Sequence, residues 1–383
     1  MDSIAVMQSP PGAETVIDGR PYLYFGGTGY LGLQGHPEVI RVACEAAQRY
    51  GIGSATARSG FGNTPPVLEL EHQAALFLDM EDAFHVMSGY VANHVLVLAL
   101  EGCFEAIFVD ELAHYCIREA ARLSGRPVHT FHHRDPEDLR RNLQRHLPPQ
   151  GRPLVMTDGV FAALGRIAPV WEYRHVLAEY PRAILAVDDA HGLGVLGKEG
   201  RGTFDYVGLQ KSVNASLPSR SALYGDLHLL SCGTLSKAVG GFGGIVPGSR
   251  TVVERLKASS PYYSGASATP VPVAAASARA LQLMRTHPEW RQQLWENVRM
   301  VKTGLREMGL NVGATPVPIL ALALGSADNM QRIHRQLMER GILIPYMPTY
   351  SGLGPAGALR LAVFATHTEA MIRRLLEELG RLL

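Results

Sequence analysis

Short apolar segments that alternate with amphipathic segments constrain the fold of this chain more than any other feature. Between residues 82 and 235, six segments have the short apolar pattern of β-strands: DAFHVMS, EAIFVD, PVHTFHH, RPLVMTDG, RAILAVDDA and LHLLSCGTL. Segments with helical spacing, such as HYCIREAARLS and DPEDLRRNLQRHL, lie between them. Apolar strands that alternate with helices form a mainly parallel sheet covered on both faces. The sequence therefore predicts an α/β fold around a mostly parallel central sheet.

The same pattern divides the chain into three predicted parts. Residues 1–45 form an N-terminal arm, loose at its start with a turn at DGRPY, and a first helix. Residues 46–275 form the large α/β domain that contains the central sheet. Residues 276–383 form a smaller C-terminal α+β domain, in which PVPILALALG and ALRLAVFA have the pattern of strands.

The composition excludes several classes of function. Of 383 residues, 36 are basic and 35 acidic, so the clustered basic excess of a nucleic-acid-binding protein is missing. No segment approaches the roughly 20 apolar residues that span a bilayer. The N-terminus carries acidic residues where a signal peptide needs basic ones, and the four cysteines form no CxxC pair. We therefore expect a cytoplasmic protein with reduced thiols, no membrane span and no nucleic-acid partner.

Polar residues follow the predicted strands, where parallel sheets bind their ligands. In such sheets the binding crevice lies beyond the carboxyl ends of the strands. The polar groups at these positions are Ser88 to Tyr90, Asp110 to His114, Asp158, Asp188 to His191, and Thr234 to Lys237. We expect the functional site to be built from these groups.

Lys237 lies in the stretch SCGTLSKAVGGFGG, among small and flexible residues. A lysine amine forms a Schiff base with an aldehyde when it is held beside it and partly desolvated. A lysine Schiff base with an acidic partner is typical of pyridoxal phosphate (PLP) sites, and Thr234 and Ser236 offer hydroxyls to a phosphate. The alternative, an exposed lysine in a glycine-rich loop, has equal weight on the lysine alone.

Asp188 and His191 favour the PLP interpretation. They lie in LAVDDAHGLGVLG, where a very apolar strand ends in two carboxylates and a histidine. A buried carboxylate is costly without a charged or hydrogen-bonding partner, and a protonated pyridine nitrogen is such a partner. We predict this role for Asp188, and a hydrogen bond to the phenolic oxygen of the cofactor for His191. The alternatives are a metal pair or a cap of the next turn; no further metal ligands lie nearby, so no metal is predicted.

Three weaker signals complete the predicted site. Ser88, Gly89 and Tyr90 stand between a strand and a helix, where backbone N–H groups attract phosphate. The imidazole of His114 is suited to stack on the cofactor ring, although a lone histidine at a strand end is more often structural. Arg360 lies in the strand-like segment ALRLAVFATHT, and its planar fork suits a substrate carboxylate. An interdomain salt bridge is the alternative for this arginine.

These motifs together resemble those of the α-oxoamine synthases, which are fold-type I PLP enzymes with a small C-terminal α+β domain. The similarity rests on SGYVAN, DELAHYC, TDGVFAALG, VDDAHGLGVLGKEGRG, GTLSKAVGGFGG and LRLAVFATHT. It runs from about Tyr30 to the C-terminus. The family includes 8-amino-7-oxononanoate synthase, 2-amino-3-ketobutyrate CoA ligase and serine palmitoyltransferase.

The resemblance implies a homodimer with its active sites at the subunit interface. It implies that Lys237 binds PLP and shuttles a proton, that His114 stacks on the ring, and that Arg360 binds an amino-acid carboxylate. The implied reaction condenses an amino acid with an acyl-CoA thioester, with decarboxylation, to an α-amino ketone. The alternatives are a related fold-type I enzyme acting as an aminotransferase or C–C lyase, and a non-catalytic relative kept for binding or assembly.

The chain departs from the family pattern at positions near the substrate. Thr28 stands in GGTGYLGL where the family usually has a carboxylate-binding asparagine one or two residues before YLGL, so Thr28 is a predicted substrate-binding residue. Ala162 and Leu164 replace polar residues of the motif after GVF, and Pro65-Pro66 stands where a histidine is common. We expect intact cofactor binding and an unusual amino acid or acyl donor.

Overall fold

The computed structural model describes residues 5–180, 182–218 and 227–383. The strands of these residues are β1 (Glu14–Ile17), β2 (Arg20–Tyr24), β3 (Asp82–Val86), β4 (Ala106–Asp110), β5 (Val128–Phe131), β6 (Pro153–Asp158), β7 (Ile184–Asp188), β8 (His228–Thr234), β9 (Gly244–Gly248), β10 (Ile319–Leu322), β11 (Ile342–Leu343), β12 (Tyr346–Met347) and β13 (Ala358–Ala362). The helices are α1 (Pro37–Tyr50), α2 (Pro65–Leu78), α3 (Ala92–Ala99), α4 (Tyr115–Leu123), α5 (Pro136–His146), α6 (Val170–Leu177), α7 (Thr203–Tyr206), α8 (Arg250–Ser259), α9 (Pro261–Gly265), α10 (Val271–Thr286), α11 (Glu289–Glu307), α12 (Ala327–Glu339) and α13 (Glu369–Gly380).

The central sheet confirms the predicted α/β fold. Its seven strands lie in the order β3-β9-β8-β7-β6-β4-β5, and β9 alone runs antiparallel to its neighbours. The sequence pattern did not predict β9, because its segment GIVPG holds two glycines and a proline, which are depleted in strands. Its glycines allow close approach to the loop after β3, since a Cβ on Gly244 would lie 3.0 Å from the Cα of Gly89.

Alternate residues of the central strands face two separate cores. In β6, Leu154 and Met156 pack in the core that also contains α3, α4 and α8, whereas Val155 packs against α5 and α6. Because successive strand residues point to opposite faces, a strand that is apolar throughout needs helices on both faces. Strands β4, β6 and β7 are buried over their whole length, which explains their continuous apolar sequences.

The C-terminal residues form a smaller sheet, as predicted for an α+β unit. Strands β10, β13 and β12 pair antiparallel in that order. The amphipathic helices α11, α12 and α13 bury apolar residues such as Val298, Ile333 and Leu375 in the core shared with β10 and β13. The exact division of the chain at residues 45–46 and 275–276 stays a prediction.

The expected loose arm is wrong for residues 14–24, which form a β-hairpin. Strands β1 and β2 pair antiparallel around Asp18-Gly19, whose φ angles of 51° and 75° suit a tight hairpin turn. Strand β2 also pairs in parallel with β11, far away in the sequence, and this pairing fixes the hairpin. The first four residues of the predicted arm lie outside the described residues. Among those described, no helix combines the length and the apolarity needed to cross a membrane.

Candidate active site

The site lies where β6, β7 and β8 end at one edge of the central sheet. Asp158 at the end of β6 pairs in register with Asp188 at the end of β7, and Asp188 pairs in register with Cys232 of β8. Lys237 follows the end of β8 by three residues. The parallel topology therefore brings two carboxyl groups and one amine to the same crevice.

Asp188 is buried and held by three donors. Its Oδ2 accepts from Asn93 Nδ2 at 2.6 Å and from the Cys116 thiol at 3.5 Å, and its Oδ1 accepts from the Ala190 N–H at 2.9 Å. The carboxylate is thus fixed in orientation, and Asn93 is a functional residue that sequence reasoning missed. Its position in SGYVAN was visible, but nothing in the sequence indicated its partner.

Asp189 has a different role from its neighbour. Its two carboxyl oxygens accept from the backbone N–H of Thr203 at 2.7 Å and from the Thr203 hydroxyl at 2.6 Å. Burial raises the pKa of Asp189 to about 7, against the effect of these hydrogen bonds. Because the start of α7 engages this side chain, the geometry favours Asp188 as the partner of a ligand.

The Lys237 residue is half-buried, and its amine lies in a poorly solvated position near these carboxyl groups. Burial lowers its pKa to about 8, while the nearby carboxyl groups of Asp188 and Asp158 oppose the shift. The Lys237 carbonyl accepts from Gln34 Nε2 at 2.9 Å, which ties this turn to the N-terminal segment. Gly240 closes the turn with a φ of 74°, and a Cβ there would lie 2.7 Å from the Gln34 backbone nitrogen, so only glycine fits.

His191 is held by Tyr30, a contact that the sequence did not predict. The Tyr30 hydroxyl and His191 Nδ1 lie 2.7 Å apart, and both side chains are buried. Burial, and then the charges of Lys237 and Arg360, hold the pKa of His191 well below its ordinary value, so the ring is neutral. Burial raises the pKa of Tyr30 to about 12, so its hydroxyl keeps its proton and donates to Nδ1. We assign the remaining ring proton to Nε2, which is then a donor toward the crevice.

His114 joins the site through Asp158 and Cys116. Its backbone N–H donates to Asp158 Oδ2 at 2.8 Å, and its Nδ1 lies 3.0 Å from the Cys116 sulfur. Burial, followed by repulsion from Asp188, raises the pKa of Asp158 well above its ordinary value, which indicates a protonated carboxyl group. Burial lowers the pKa of His114. Asp158 is therefore an additional site residue, whose position at a strand end was its only sequence signal.

The predicted phosphate-binding residues come together from two loops. Ser88 accepts from the Tyr90 N–H at 3.2 Å and begins the turn before α3. Gly89 lies against Thr234, since a Cβ on Gly89 would be 2.5 Å from the Thr234 hydroxyl oxygen. That hydroxyl accepts from the Ser236 N–H at 3.3 Å and donates to a backbone carbonyl at 3.0 Å. These short polar residues around a glycine form a cradle with backbone N–H groups and hydroxyls.

Arg360 reaches the crevice from β13 of the C-terminal sheet. Its Nε donates to the Ala162 carbonyl at 2.9 Å and its Nη1 to the Gly27 carbonyl at 3.1 Å. Among the described residues no carboxylate lies within ion-pair distance of it, so the structure gives no support for the interdomain salt bridge. Thr28 directly follows Gly27 and is half-buried. The guanidinium also hydrogen-bonds the Tyr30 side chain, and its charge acts on His191 and Lys237, so it lies beside the site.

The loop before β13 covers one side of the crevice. The Tyr350 ring packs edge-on against Tyr115 with centroids 6.2 Å apart, and the Ser351 hydroxyl donates to the Leu112 carbonyl at 3.2 Å. A Cβ on Gly352 would lie 3.1 Å from Leu164, which places this substituted position against the same loop. Sequence reasoning had singled out Leu164 but gave no role to Tyr350, because a loop tyrosine carries no pattern of its own.

The described residues contain no group of three or more histidine, cysteine and acidic side chains that could hold a metal ion. This agrees with the use of Asp188 and His191 in hydrogen bonds to protein groups rather than in a shared ligand set.

Comparison with solved structures defines the class of the protein. A variant of serine palmitoyltransferase from S. paucimobilis, with a bound PLP–myriocin aldimine, matches with a TM-score of 0.87 at 26% identity. The match covers 99% of this chain and 92% of that chain. Fold and site together therefore define a fold-type I PLP enzyme, as the sequence predicted.

Comparison of sequences gives the family. The model of the aminotransferase class I and II family matches residues 22–379, and the chain belongs to that family. The 8-amino-7-oxononanoate synthase of Cellvibrio japonicus (strain Ueda107) is 34% identical over 383 residues, which cover 99% of this chain and 91% of that protein. The serine palmitoyltransferase of Sphingobacterium spiritivorum is 34% identical over 382 residues, covering 98% and 90%. These relatives confirm the resemblance to the α-oxoamine synthases.

Proposed function

We propose that the chain is a PLP-dependent acyltransferase of the α-oxoamine synthase type. It condenses an amino acid with an acyl-CoA thioester, releases CoA and carbon dioxide, and yields an α-amino ketone. Relatives named 8-amino-7-oxononanoate synthase and serine palmitoyltransferase support this class of reaction. The observation that carries the proposal is the desolvated Lys237 amine, which lies within electrostatic reach of the buried Asp188 carboxyl group.

The residues of the crevice fit PLP by the chemistry of their donors and acceptors. Asp188 offers a buried, oriented carboxylate to a protonated pyridine nitrogen, and His191 offers an N–H to a phenolic oxygen. The loops of Gly89 and Thr234 lie against each other, and a turn before a helix with short polar residues of this kind suits a phosphate. When bound, PLP supplies an aldehyde that forms Schiff bases with amines and a cationic ring that accepts electrons from the reacting carbon.

The protein side chains then bind, orient and move protons. With a pKa of about 8, the Lys237 amine exists in both protonation states near neutral pH, which suits it to take and return a proton. Asn93 and Cys116 keep the Asp188 carboxylate aimed at the ring position. The N–H groups of Arg360 that Ala162, Gly27 and Tyr30 leave available suit a substrate carboxylate. Thr28 lies beside that position.

The decisive experiment measures release of the CoA thiol. Purified protein with PLP is screened against pairs of amino acids and acyl-CoA thioesters with a thiol-reactive dye. We expect thiol release that depends on both substrates and is lost in Lys237→Ala. Lys211→Ala is the matched control, because Lys211 is exposed in a short turn away from the crevice, and it should retain full activity.

The alternative activities give different results in this assay. If no pair releases thiol while a keto acid accepts amino groups from an amino acid, the protein is an aminotransferase and the proposed acyl transfer is wrong. If the purified protein takes up no PLP, the crevice serves another purpose and the whole assignment is wrong.

We also propose that the protein is a homodimer with the crevice at the subunit interface. Large side chains next to site residues are exposed in the single chain, with exposed fractions of 46% for Tyr90, 52% for Tyr115 and 50% for Phe242. Burial of such side chains is a main source of interface stability. Light scattering after gel filtration should give twice the mass of 41.6 kDa. A monomeric mass with full activity would contradict this proposal.

The compartment proposed for the enzyme is the cytoplasm. Cys103, Cys116 and Cys232 are buried free thiols and Cys44 is an exposed free thiol, which suits a reducing environment. Fractionation of the native host, followed by detection of the protein, tests this assignment.

A further inference from the structure

A cationic cleft lies apart from the residues of the crevice, on the surface of α11. It has a volume of about 590 Å³, within the range typical of ligand pockets. Helix α11 lines it with Trp295, Arg299, Lys302 and Arg306. Their spacing of four, three and four residues places them on one face of the helix.

The other walls come from the segment after β7 and from the loop before β10. Lys198 and Tyr206 line the first of these walls, and Thr315 lines the second. An adjoining hollow of about 510 Å³ shares Lys198, Trp295 and Arg299 with the cleft, so the two form one continuous depression. The hollow is also lined by Glu289 and Glu296, so the excess of positive charge is confined to the cleft itself. The cleft thus combines four cationic side chains with two aromatic rings.

Lys302 is the most informative of these cations, because it is buried without a counter-ion. Only 4% of the residue is exposed, and its amine donates to the carbonyl and the hydroxyl of Thr315 at 2.6 and 3.2 Å. Burial and the neighbouring charge of Arg306 lower the pKa of Lys302 to about 8, and no acid opposes them. A buried charge is costly unless it is paired.

The remaining cations of the cleft also lack acidic partners. Within the described parts of the chain, no carboxylate lies within 4.0 Å of the charged atoms of Lys198, Arg299, Lys302 or Arg306. Asp205 lines the same cleft, but it accepts from the backbone N–H groups of residues 199 and 201 at 3.0 and 3.2 Å. An unpaired cluster of this kind attracts anions.

A purely structural role explains only part of the cluster. Lys302 holds Thr315, and Arg306 donates to the carbonyls of residues 312 and 313 at 3.2 and 3.4 Å, so both support the loop before β10. Lys198 and Arg299 support no such loop contact, yet they face the same depression. Their placement needs a different reason.

We propose that this cleft binds a phosphorylated nucleotide, with the phosphates on Arg299, Lys302 and Lys198 and the base against Trp295 and Tyr206. Guanidinium and ammonium groups are the usual partners of phosphate oxygens, and aromatic rings stack on bases. Free nucleotides and the nucleotide part of a CoA molecule share this chemistry. The site is separate from the crevice and does not depend on the proposed reaction.

The test measures binding of ADP to the PLP-loaded protein by isothermal titration calorimetry. We expect binding that weakens with added salt, because the exposed charges are screened. The double variant Lys198→Gln/Arg299→Gln should bind ADP at least tenfold more weakly. Both side chains lie at the surface of the cleft, so the fold should survive. Arg335→Gln is the matched control, since Arg335 is exposed on α12 outside the cleft, and it should bind like the wild type.

Competition identifies the source of the nucleotide. CoA that displaces ADP from the wild type assigns the cleft to the nucleotide part of CoA, and ADP binding that persists at saturating CoA assigns it to a free nucleotide. The proposal is overturned if ADP does not bind in the millimolar range or if the double variant binds it unchanged. It is also overturned if inorganic phosphate binds as tightly as ADP, because the aromatic wall then contributes nothing.

Discussion

Capture of PLP by protein from which it has been removed should accelerate with pH, with a midpoint near pH 8, and level off above about pH 9. Only a neutral amine attacks an aldehyde. Burial lowers the pKa of Lys237 to about 8, and the carboxyl groups of Asp188 and Asp158 oppose this shift. The amine is therefore protonated and unreactive well below pH 8, and neutral and reactive above it.

The size of the effect follows from the neutral fraction of the amine. At pH 7 a group with a pKa of about 8 is neutral in about 10% of molecules, whereas a lysine at its ordinary value of 10.5 is neutral in about 0.03%. The desolvated amine should thus react about 300-fold faster at pH 7 than its solvated equivalent of the same intrinsic reactivity. Between pH 6 and pH 7 the rate should rise about tenfold, and above pH 9 it should be nearly constant.

Stopped-flow absorbance of the Schiff base, recorded from pH 6 to pH 10, measures this rate. The reaction of PLP with a free lysine derivative over the same range corrects for the titration of PLP itself. Arg360→Gln tests the electrostatic part, because the Arg360 charge lowers the pKa of Lys237. Its loss should move the midpoint to higher pH. A rate that keeps rising through pH 10 would show that the amine is solvated, and the assigned crevice would be wrong.

Four further predictions test individual contacts. Asp188→Asn should retain PLP but lose activity by orders of magnitude in the thiol-release assay, because a neutral amide does not stabilise a protonated ring nitrogen. Asp189→Asn should instead lower the free energy of unfolding by about 1–3 kcal/mol in denaturant titrations, since its two hydrogen bonds at α7 weaken. Gly89→Ala should weaken PLP binding in equilibrium dialysis, because its Cβ would lie 2.5 Å from Thr234 Oγ1. Arg360→Lys should raise the KM for the amino acid about tenfold, a loss of about 1.4 kcal/mol, with little change for the acyl donor, because a lysine cannot form the bidentate fork.

Each of these predictions has a clear contrary outcome. If Asp188→Asn turns over at a near-normal rate while Asp189→Asn is stable but inactive, the roles are reversed. Asp189 is then the partner of the ring nitrogen and Asp188 is structural. If Gly89→Ala binds PLP with unchanged affinity, the phosphate does not bind at the loop after β3. Equal effects of Arg360→Lys on both substrates would mean that Arg360 supports the structure rather than the carboxylate.

The cofactor half of the site could be predicted because it follows from topology. Asp188 ends one apolar strand and Lys237 follows the end of another by three residues, and parallel strands end at one edge of their sheet. These two residues lie 49 positions apart in the sequence, and the strand pattern alone predicts that they come close together. Asp158 follows the same rule, although no chemistry in the sequence distinguished it from a structural residue.

The supporting contacts could not be predicted, because they join segments whose patterns are independent. Tyr30 lies 161 residues from His191, and Asn93 lies 95 residues from Asp188. Each pair depends on how a segment outside the central sheet, the loop of Tyr30 or the first turn of α3, lies across the end of the strands. The hairpin of β1 and β2 was missed for a related reason, since its partner β11 belongs to the other end of the chain.

The two carbonyls that hold Arg360 explain how the substrate region tolerates its unusual sequence. They belong to Gly27 and Ala162, which adjoin or occupy the positions that depart from the family pattern. A carbonyl contact is available from any residue, so these substitutions leave the orientation of the arginine intact. They change instead the side chains beside the proposed substrate position, where the methyl of Ala162 and the hydroxyl of Thr28 now stand. We therefore expect the altered positions to shift the choice of amino acid, while the proposed contact between its carboxylate and Arg360 is kept.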